Sequence, residues 1–282
     1  MTMATPHIRQ VLDPARWSEH HFGLPDDRWR SLATRSVWIT GAGTGYGRSL
    51  AAALAAAGAR VFLSGRRLTK LQETLMHLRE LAIPTDRCEI LPCDITDPVS
   101  VSAAGAAIAG KAGALHGLVN NAALPSPGGV HDPLASMDPT QWRALLETNV
   151  TGHWLVTKTA LPLLLATGSA RVLFVTSEAG WAFTPGYGPY NVSKSALNNL
   201  GASFAAECAR CHPDRDIQIN VLVPGEARTE MNQGSADSPY AIAPMALALL
   251  SHPAGGPNGR FFHRDGRHLS FACAEPYPRP LL

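Results

Sequence analysis

Tyr190 and Lys194 bracket the stretch Tyr190-Asn191-Val192-Ser193-Lys194, and Ser177 precedes the tyrosine by thirteen positions. An i, i+4 spacing puts two side chains on one helix face, one turn apart. A phenol ordinarily loses its proton near pH ~10, too high for ready proton exchange at neutral pH. A lysine ammonium about 4 Å away, at an effective dielectric near 20, is worth roughly 4 kcal/mol, or about three pKa units. The pair therefore predicts a phenol brought close to working pH, where a general acid/base is most effective. A serine hydroxyl supplies what such a reaction needs besides, a neutral donor to an oxygen on which charge develops.

A second group of residues reads as a cradle for phosphate. The apolar run Val37-Trp38-Ile39 leads into Thr40-Gly41-Ala42-Gly43-Thr44-Gly45-Tyr46-Gly47, and an alanine-rich helical stretch follows. Glycines let backbone amides approach a pyrophosphate, and the following helix N-terminus presents unpaired N–H groups and a positive dipole end. The spacing is T-G-x-x-x-G-x-G, through Thr40, Gly41, Gly45 and Gly47; G-x-G-x-x-G fails, because Tyr46 and Arg48 fall where its third glycine would be. After the second apolar run comes Ser64-Gly65-Arg66-Arg67, with no acid beside it. An acid there would hold a ribose 2′-hydroxyl, whereas an arginine accommodates a 2′-phosphate, so Arg66 favours NADP(H) over NAD(H).

These residues need a scaffold, and the chain alternates short β-branched runs with longer amphipathic stretches. Strands are expected at Ser36–Thr40, Arg60–Ser64, Glu89–Pro92, Leu115–Asn120, Arg171–Thr176, Ile217–Val223 and Gly259–His263. Helices are expected near Gly45–Ala57, Leu68–Leu81, Pro98–Ala109, Gln141–Leu165, Tyr190–Cys211 and Tyr240–Leu250. Continuous apolar strands alternating with helices predict a doubly wound α/β Rossmann fold, with a parallel seven-stranded sheet and helices on both faces. One domain is expected over 36–282, with a mobile substrate loop at about 229–244, preceded by an arm over 1–35. Trp17, Phe22 and Trp29 would be costly to leave in water, so the arm is expected to pack on the body or on another subunit.

Composition sets the outer bounds. The 282 residues carry 24 Lys+Arg against 22 Asp+Glu, and only 16% are charged, against about 25% in an average soluble domain. No basic run offers a stripe for nucleic acid. No apolar stretch spans a membrane, and His7, Arg9, Asp13 and Arg16 interrupt any leader, so a cytoplasmic protein is expected. The five cysteines make no disulfide framework. Cys208-Ala209-Arg210-Cys211-His212 matches a haem-attachment pattern, but it closes a helix in a chain with no export signal, and no metal is expected there or at Cys88 and Cys93.

Taken together, the motifs resemble the short-chain dehydrogenase/reductase family in its single-domain form, across roughly Ser36 to Ser270. Cys93-Asp94-Ile95-Thr96-Asp97 is similar to its adenine-side D-x-x-D, Asn120-Asn121-Ala122-Ala123 to its N-N-A-G, and Asn149-Val150 to its helix asparagine. Tyr190 and Lys194 match its Y-x-x-x-K, and Pro224-Gly225 followed by Thr229 completes the set. The resemblance implies a carbonyl–alcohol oxidoreductase with four catalytic residues. Tyr190 would be the proton donor in reduction, Ser177 the carbonyl-oxygen anchor, Lys194 also a ligand of the nicotinamide ribose, and Asn149 the holder of a relay water. Asp94 would lie beside the adenine amino group, Asn121 would join the cofactor contacts, and Pro224, Gly225 and Thr229 would meet the nicotinamide end. Tyr46 stands where the family has a smaller aliphatic residue, and Ala123 replaces the last glycine of N-N-A-G. The resemblance also implies a homodimer or homotetramer, in keeping with the apolar helices at Gln141–Leu165 and Tyr190–Cys211.

On the substrate side, Glu178, Glu226, Asn232 and Gln233 point to a polar or hydroxylated small molecule, with Trp181, Phe183 and Tyr187 as aromatic walls. Two rivals remain. An epimerase or dehydratase would need a glycine where Thr44 stands, and a catalytically silent NADP(H)-binding sensor would have no use for the intact tetrad.

Overall fold

A computed structural model describes residues 20–181 and 185–270. Trp17 and Phe183 lie outside them. From its start the described chain runs through helix α1 (Asp26–Ser31), β1 (Ser36–Thr40), α2 (Gly45–Ala56), β2 (Arg60–Gly65), α3 (Leu68–Glu80), β3 (Cys88–Pro92), α4 (Pro98–Ala112) and β4 (Gly117–Asn120). It continues through α5 (Pro139–Leu146), α6 (Gly152–Ala166), β5 (Ser169–Val175), α7 (Gly188–Cys211), β6 (Asp216–Val223), α8 (Ala243–Leu250), β7 (Phe261–His263) and β8 (His268–Leu269).

The strands form one eight-stranded sheet in the order β3-β2-β1-β4-β5-β6-β7-β8. The first seven are parallel, as the sequence predicts, and burial of the central strands β1, β4, β5 and β6 on both faces explains their unbroken apolar runs. The eighth was not expected. Gly266, at φ 90°, turns the chain back so that Phe261 pairs with Leu269 antiparallel to β7. Its two residues are too short to carry a hydrophobic period.

Alternation along each strand splits the core into two layers. Val37 and Ile39 face the layer under α2 and α8, while Trp38 faces the layer under α4, α6 and α7. Phe22, Leu24, Trp29 and Leu32 join the first layer, so the described part of the arm packs on the body. His21 stacks on Trp29 with ring centroids 5.0 Å apart.

The helix expected over Gln141–Leu165 is broken by a π turn at Glu147–Thr151, between α5 and α6. One extra residue in a turn is invisible to a 3.6-residue period, and such turns gather at functional sites. Strand order reverses between β1 and β4, which opens a crevice at their C-terminal ends, where ligands of doubly wound sheets bind.

Candidate active site

That crevice is a cavity of about 770 Å³. Its floor is the glycine turn. Gly41 has φ 65°, and a Cβ there would lie 2.8 Å from Ala122 Cα. A Cβ on Gly47 would lie 2.2 Å from the Gly41 carbonyl oxygen. The turn is pinned from behind. Thr40 Oγ1 accepts from the backbone N–H groups of Asn121 and Ala122, and Asn121 Nδ2 donates to the carbonyls of Thr40 and Gly41. Arg48 Nη2 donates to the Gly43 carbonyl, 2.7 Å away. Thr40 and Gly47 therefore shape the turn without lining the cavity, while Gly41, Gly45, Tyr46 and Asn121 line it.

The cavity suits a dinucleotide. The α2 N-terminus has no side-chain cap among the described residues, and Thr44, Gly45 and Tyr46 at that end line the cavity, where uncapped N–H groups suit a phosphate. Arg66, Arg67 and Lys70 line the end beyond β2, and Asp94 lines the wall after β3. Asp94 Oδ1 is held by the backbone N–H and hydroxyl of Thr96, 3.0 and 2.8 Å away. Pro224, Gly225 and Thr229 line the opposite side, and Tyr46 bridges to them by donating its hydroxyl to the Gly225 carbonyl at 2.7 Å. Lys70 was not singled out by sequence, although it stands one helical turn beyond Arg67.

Ser177, Tyr190 and Lys194 line the same cavity. Ser177 ends the segment after β5, and its hydroxyl accepts from Ala179 N–H at 3.2 Å and hydrogen-bonds the Tyr190 phenol. Pro189 at the start of α7 sets the tyrosine in the first helical turn. Lys194 is fully buried, its Nζ 5.5 Å from the Tyr190 ring centroid and 3.2 Å from the Val175 carbonyl to which it donates.

The electrostatics correct one expectation. Burial pushes the Tyr190 phenol up to about 12; the Ser177 hydrogen bond pulls the other way and is outweighed. Burial likewise pushes Lys194 down to about 8. The ammonium lies over the ring rather than at the hydroxyl, so the depression predicted from spacing is absent here.

Asn149 sits in the π turn, fully buried. Its Oδ1 accepts from Leu124 N–H at 2.8 Å, and its Nδ2 donates to the Leu124 carbonyl and to Ser193 Oγ at 3.0 and 3.2 Å. Both amide protons are thus engaged by protein, and the side chain ties the segment after β4 to α7. One turn further, His153 is also buried, with Nε2 2.7 Å from the Ala122 carbonyl and Nδ1 3.3 Å from Asn120 Oδ1. Burial first, and Lys194 second, push its pKa down to about 3, so it is neutral. Sequence gave it no distinction among eleven histidines.

Of the substrate-side residues, Glu178, Tyr187, Glu226 and Asn232 line the cavity, joined by Met231. Trp181 does not: its ring packs edge-on against Phe261 with centroids 5.6 Å apart, part of the core. Gln233 is likewise away from the wall.

A sequence profile described as short chain dehydrogenase matches residues 35–239. The chain is 29% identical over 225 residues to the 2,5-dichloro-2,5-cyclohexadiene-1,4-diol dehydrogenase of Sphingobium indicum, covering 79% of this chain and 84% of that one. It is 32% identical over 222 residues to the short chain dehydrogenase tazN of Aspergillus terreus, covering 78% of this chain but only 46% of that longer protein. Among solved structures, a short chain dehydrogenase from Salmonella enterica serovar Typhi superposes with TM-score 0.75 at 26% identity, over 86% of this chain and 99% of that one. A structure from Escherichia coli CFT073 complexed with NADPH superposes with TM-score 0.74 at 26% identity, over 82% and 96%.

Proposed function

This chain belongs to the short-chain dehydrogenase family, and from that premise we propose an NADP(H)-preferring oxidoreductase that interconverts an alcohol and a carbonyl. The observation that carries the proposal is a single cavity with a glycine turn and Arg66 at one end and Ser177, Tyr190 and Lys194 on its wall. The NADPH complex of a relative supports the cofactor choice.

Bound nicotinamide would accept or deliver the hydride. Tyr190 keeps its proton across the physiological range, because its raised pKa leaves it a phenol. In reduction it gives that proton to the substrate oxygen and is left a phenolate; in oxidation the same phenolate, formed only once the phenol proton has left for solvent, receives the proton of the alcohol. Ser177 donates its hydroxyl to the same oxygen; its hydrogen bond to Tyr190 holds the two hydroxyls side by side before substrate arrives and is exchanged for the substrate oxygen when it does. Lys194 holds the nicotinamide ribose in this reading. Asn149, with its side chain committed to Leu124 and Ser193, acts by holding the wall in place.

The carboxylates of Glu178 and Glu226 and the amide of Asn232 support a polar or hydroxylated substrate, and Met231 and Tyr187 supply its apolar contacts. We also infer a cytoplasmic homodimer or homotetramer. Among the described residues no helix is long and apolar enough to cross a membrane, and Trp154 and Val192 stand exposed on α6 and α7. Light scattering at micromolar concentration should return a multiple of 30.0 kDa.

The test is turnover across a panel of ketones and alcohols with both cofactors. Reduction supported better by NADPH than by NADH is expected. Tighter binding of NADH overturns the Arg66 argument. Absence of turnover, together with normal NADPH binding by Tyr190→Phe, would favour the sensor.

A further inference from the structure

The acid missing after β2 arrives from the far half of the chain. Glu230 follows Thr229 in the segment between β6 and α8, and its Oε2 lies 2.7 Å from Arg67 Nη2. Its Oε1 lies 3.5 Å from Lys70 Nζ. Arg66, Arg67, Lys70 and Glu230 all line the cofactor cavity. Lys70 is shared with Glu73, 2.8 Å away, which also meets Arg48 at 3.2 Å. Two cations at the end of the cavity where a 2′-phosphate is expected are therefore bridged by a carboxylate of the substrate segment.

That carboxylate is not on a free strand of chain. Thr229 N–H donates to the Asn232 carbonyl at 3.0 Å, and Asn232 N–H donates back to Thr229 Oγ1 at 3.1 Å. Residues 229–232 form one tight turn, and Met231 and Asn232 line the same cavity. The ion pairs of Glu230 thus anchor the same turn that carries Met231 and Asn232 on the cavity wall.

We propose that Glu230 is a specificity-determining residue for the cofactor and a latch on the substrate segment, holding Arg67 and Lys70 until a phosphomonoester takes them over. The proposal rests on the NADP(H) reading of the cavity. A phosphomonoester carries about −1.5 to −2 charge and three acceptor oxygens, against one charge on a carboxylate. It therefore displaces Glu230 from the same cations, and like-charge repulsion drives the carboxylate away. The pair is about half exposed, with side-chain accessibilities of 58% and 46%, and ion pairs of that kind are weak enough to exchange readily. A 2′-hydroxyl has no charge to drive the exchange, so NAD(H) leaves the latch closed.

Calorimetry on the full chain with NADPH, NADH, 2′,5′-ADP and 5′-AMP tests this directly, with wild type, Glu230→Gln and Arg66→Ala compared. Glu230→Gln removes the competing charge and should tighten NADPH and 2′,5′-ADP by about fivefold, leaving NADH and 5′-AMP within about twofold. In wild type, 2′,5′-ADP should speed amide hydrogen exchange over residues 228–238, where 5′-AMP does not. If wild type prefers NADPH, Arg66→Ala weakens it, and Glu230→Gln leaves the 2′,5′-ADP affinity unchanged, the latch is wrong and the NADP(H) reading stands. If wild type binds NADH more tightly and Arg66→Ala changes nothing, the NADP(H) reading fails and the latch goes with it.

Discussion

Lys194 carries its ammonium over the face of the Tyr190 ring, 5.5 Å from the centroid, and spends a hydrogen bond on the Val175 carbonyl rather than on the phenol oxygen. Lys194 is buried and Tyr190 half-buried in the cavity wall, and desolvation disfavours each charged form: the phenolate, so that Tyr190 rises, and the ammonium, so that Lys194 falls. The site therefore holds a protonated donor beside a cation kept at a cost, which is the strained arrangement expected where chemistry is prepared.

The cost is measurable. Burial pushes Lys194 down to about 8 in the folded protein, against 10.5 ordinarily. Below pH 8 both states are protonated and the folded state carries the whole penalty, on the order of 3 kcal/mol. As pH rises from 8 to 10.5 the folded state sheds its proton first and the penalty disappears. Lys194→Met should thus stabilise the protein at pH 7 by up to about 3 kcal/mol, less the loss at Val175, with the gain shrinking by pH 10. Urea midpoints at the two pH values decide it; an equal gain at both would refute the desolvation account.

Tyr190→Phe removes one hydroxyl and leaves the ring under Lys194 intact. Turnover should fall by about 10²- to 10⁴-fold, while NADPH binds within about twofold of wild type and the thermal midpoint stays within a few degrees. A variant that keeps more than about a tenth of wild-type turnover would place the proton donor elsewhere.

Gly47 tests the glycine turn from behind, since it does not itself line the cavity. A methyl group there would press on the Gly41 carbonyl oxygen and, at 2.6 Å, on Asn121 Nδ2. Gly47→Ala should cost about 1–3 kcal/mol in stability and weaken both nicotinamide cofactors alike, since it shifts the turn and not the 2′-phosphate end. Selective loss of NADPH alone would contradict that.

What the sequence made legible was local. Gly41, Gly45 and Gly47 follow a strand and open a helix, and Tyr190 and Lys194 share a helix face, so spacing alone assigns their neighbourhoods. What it could not show was set by distant partners. Trp181 reads as an aromatic wall until Phe261 is placed against it, and Glu230 reads as loop polarity until Arg67 and Lys70 come within reach. The phenol's direction of shift was missed for the same reason. The i, i+4 rule gives a distance between side chains but not the burial that decides between attraction and desolvation.

His153 is the buried group whose state is most exposed to test. Its ring lies between the Ala122 carbonyl and the Asn120 amide, and Asn120 reaches Thr157 at 2.9 Å beyond it. Burial holds it neutral, with its pKa pushed from 6.5 down to about 3. Between those values the unfolded chain takes up a proton that the folded chain refuses, so stability falls with acidification by about 1.4 kcal/mol per pH unit below about pH 6.5. His116 and His77 are lowered by burial too, and at Asp216 burial is outweighed by the hydrogen bonds to Gln218, Ser169 and Arg171, which hold the carboxyl low, so the wild-type slope alone is not diagnostic. His153→Gln keeps a donor for Ala122 and removes only this titration. At pH 7 the variant should be the less stable of the two; by pH 4.5 the gap should have closed by roughly 2–3 kcal/mol. Urea unfolding at the two pH values reads that difference, and a gap that stays constant would mean His153 takes up its proton in the folded protein as readily as in the unfolded chain, with the Ala122 carbonyl and Asn120 Oδ1 then both accepting from it.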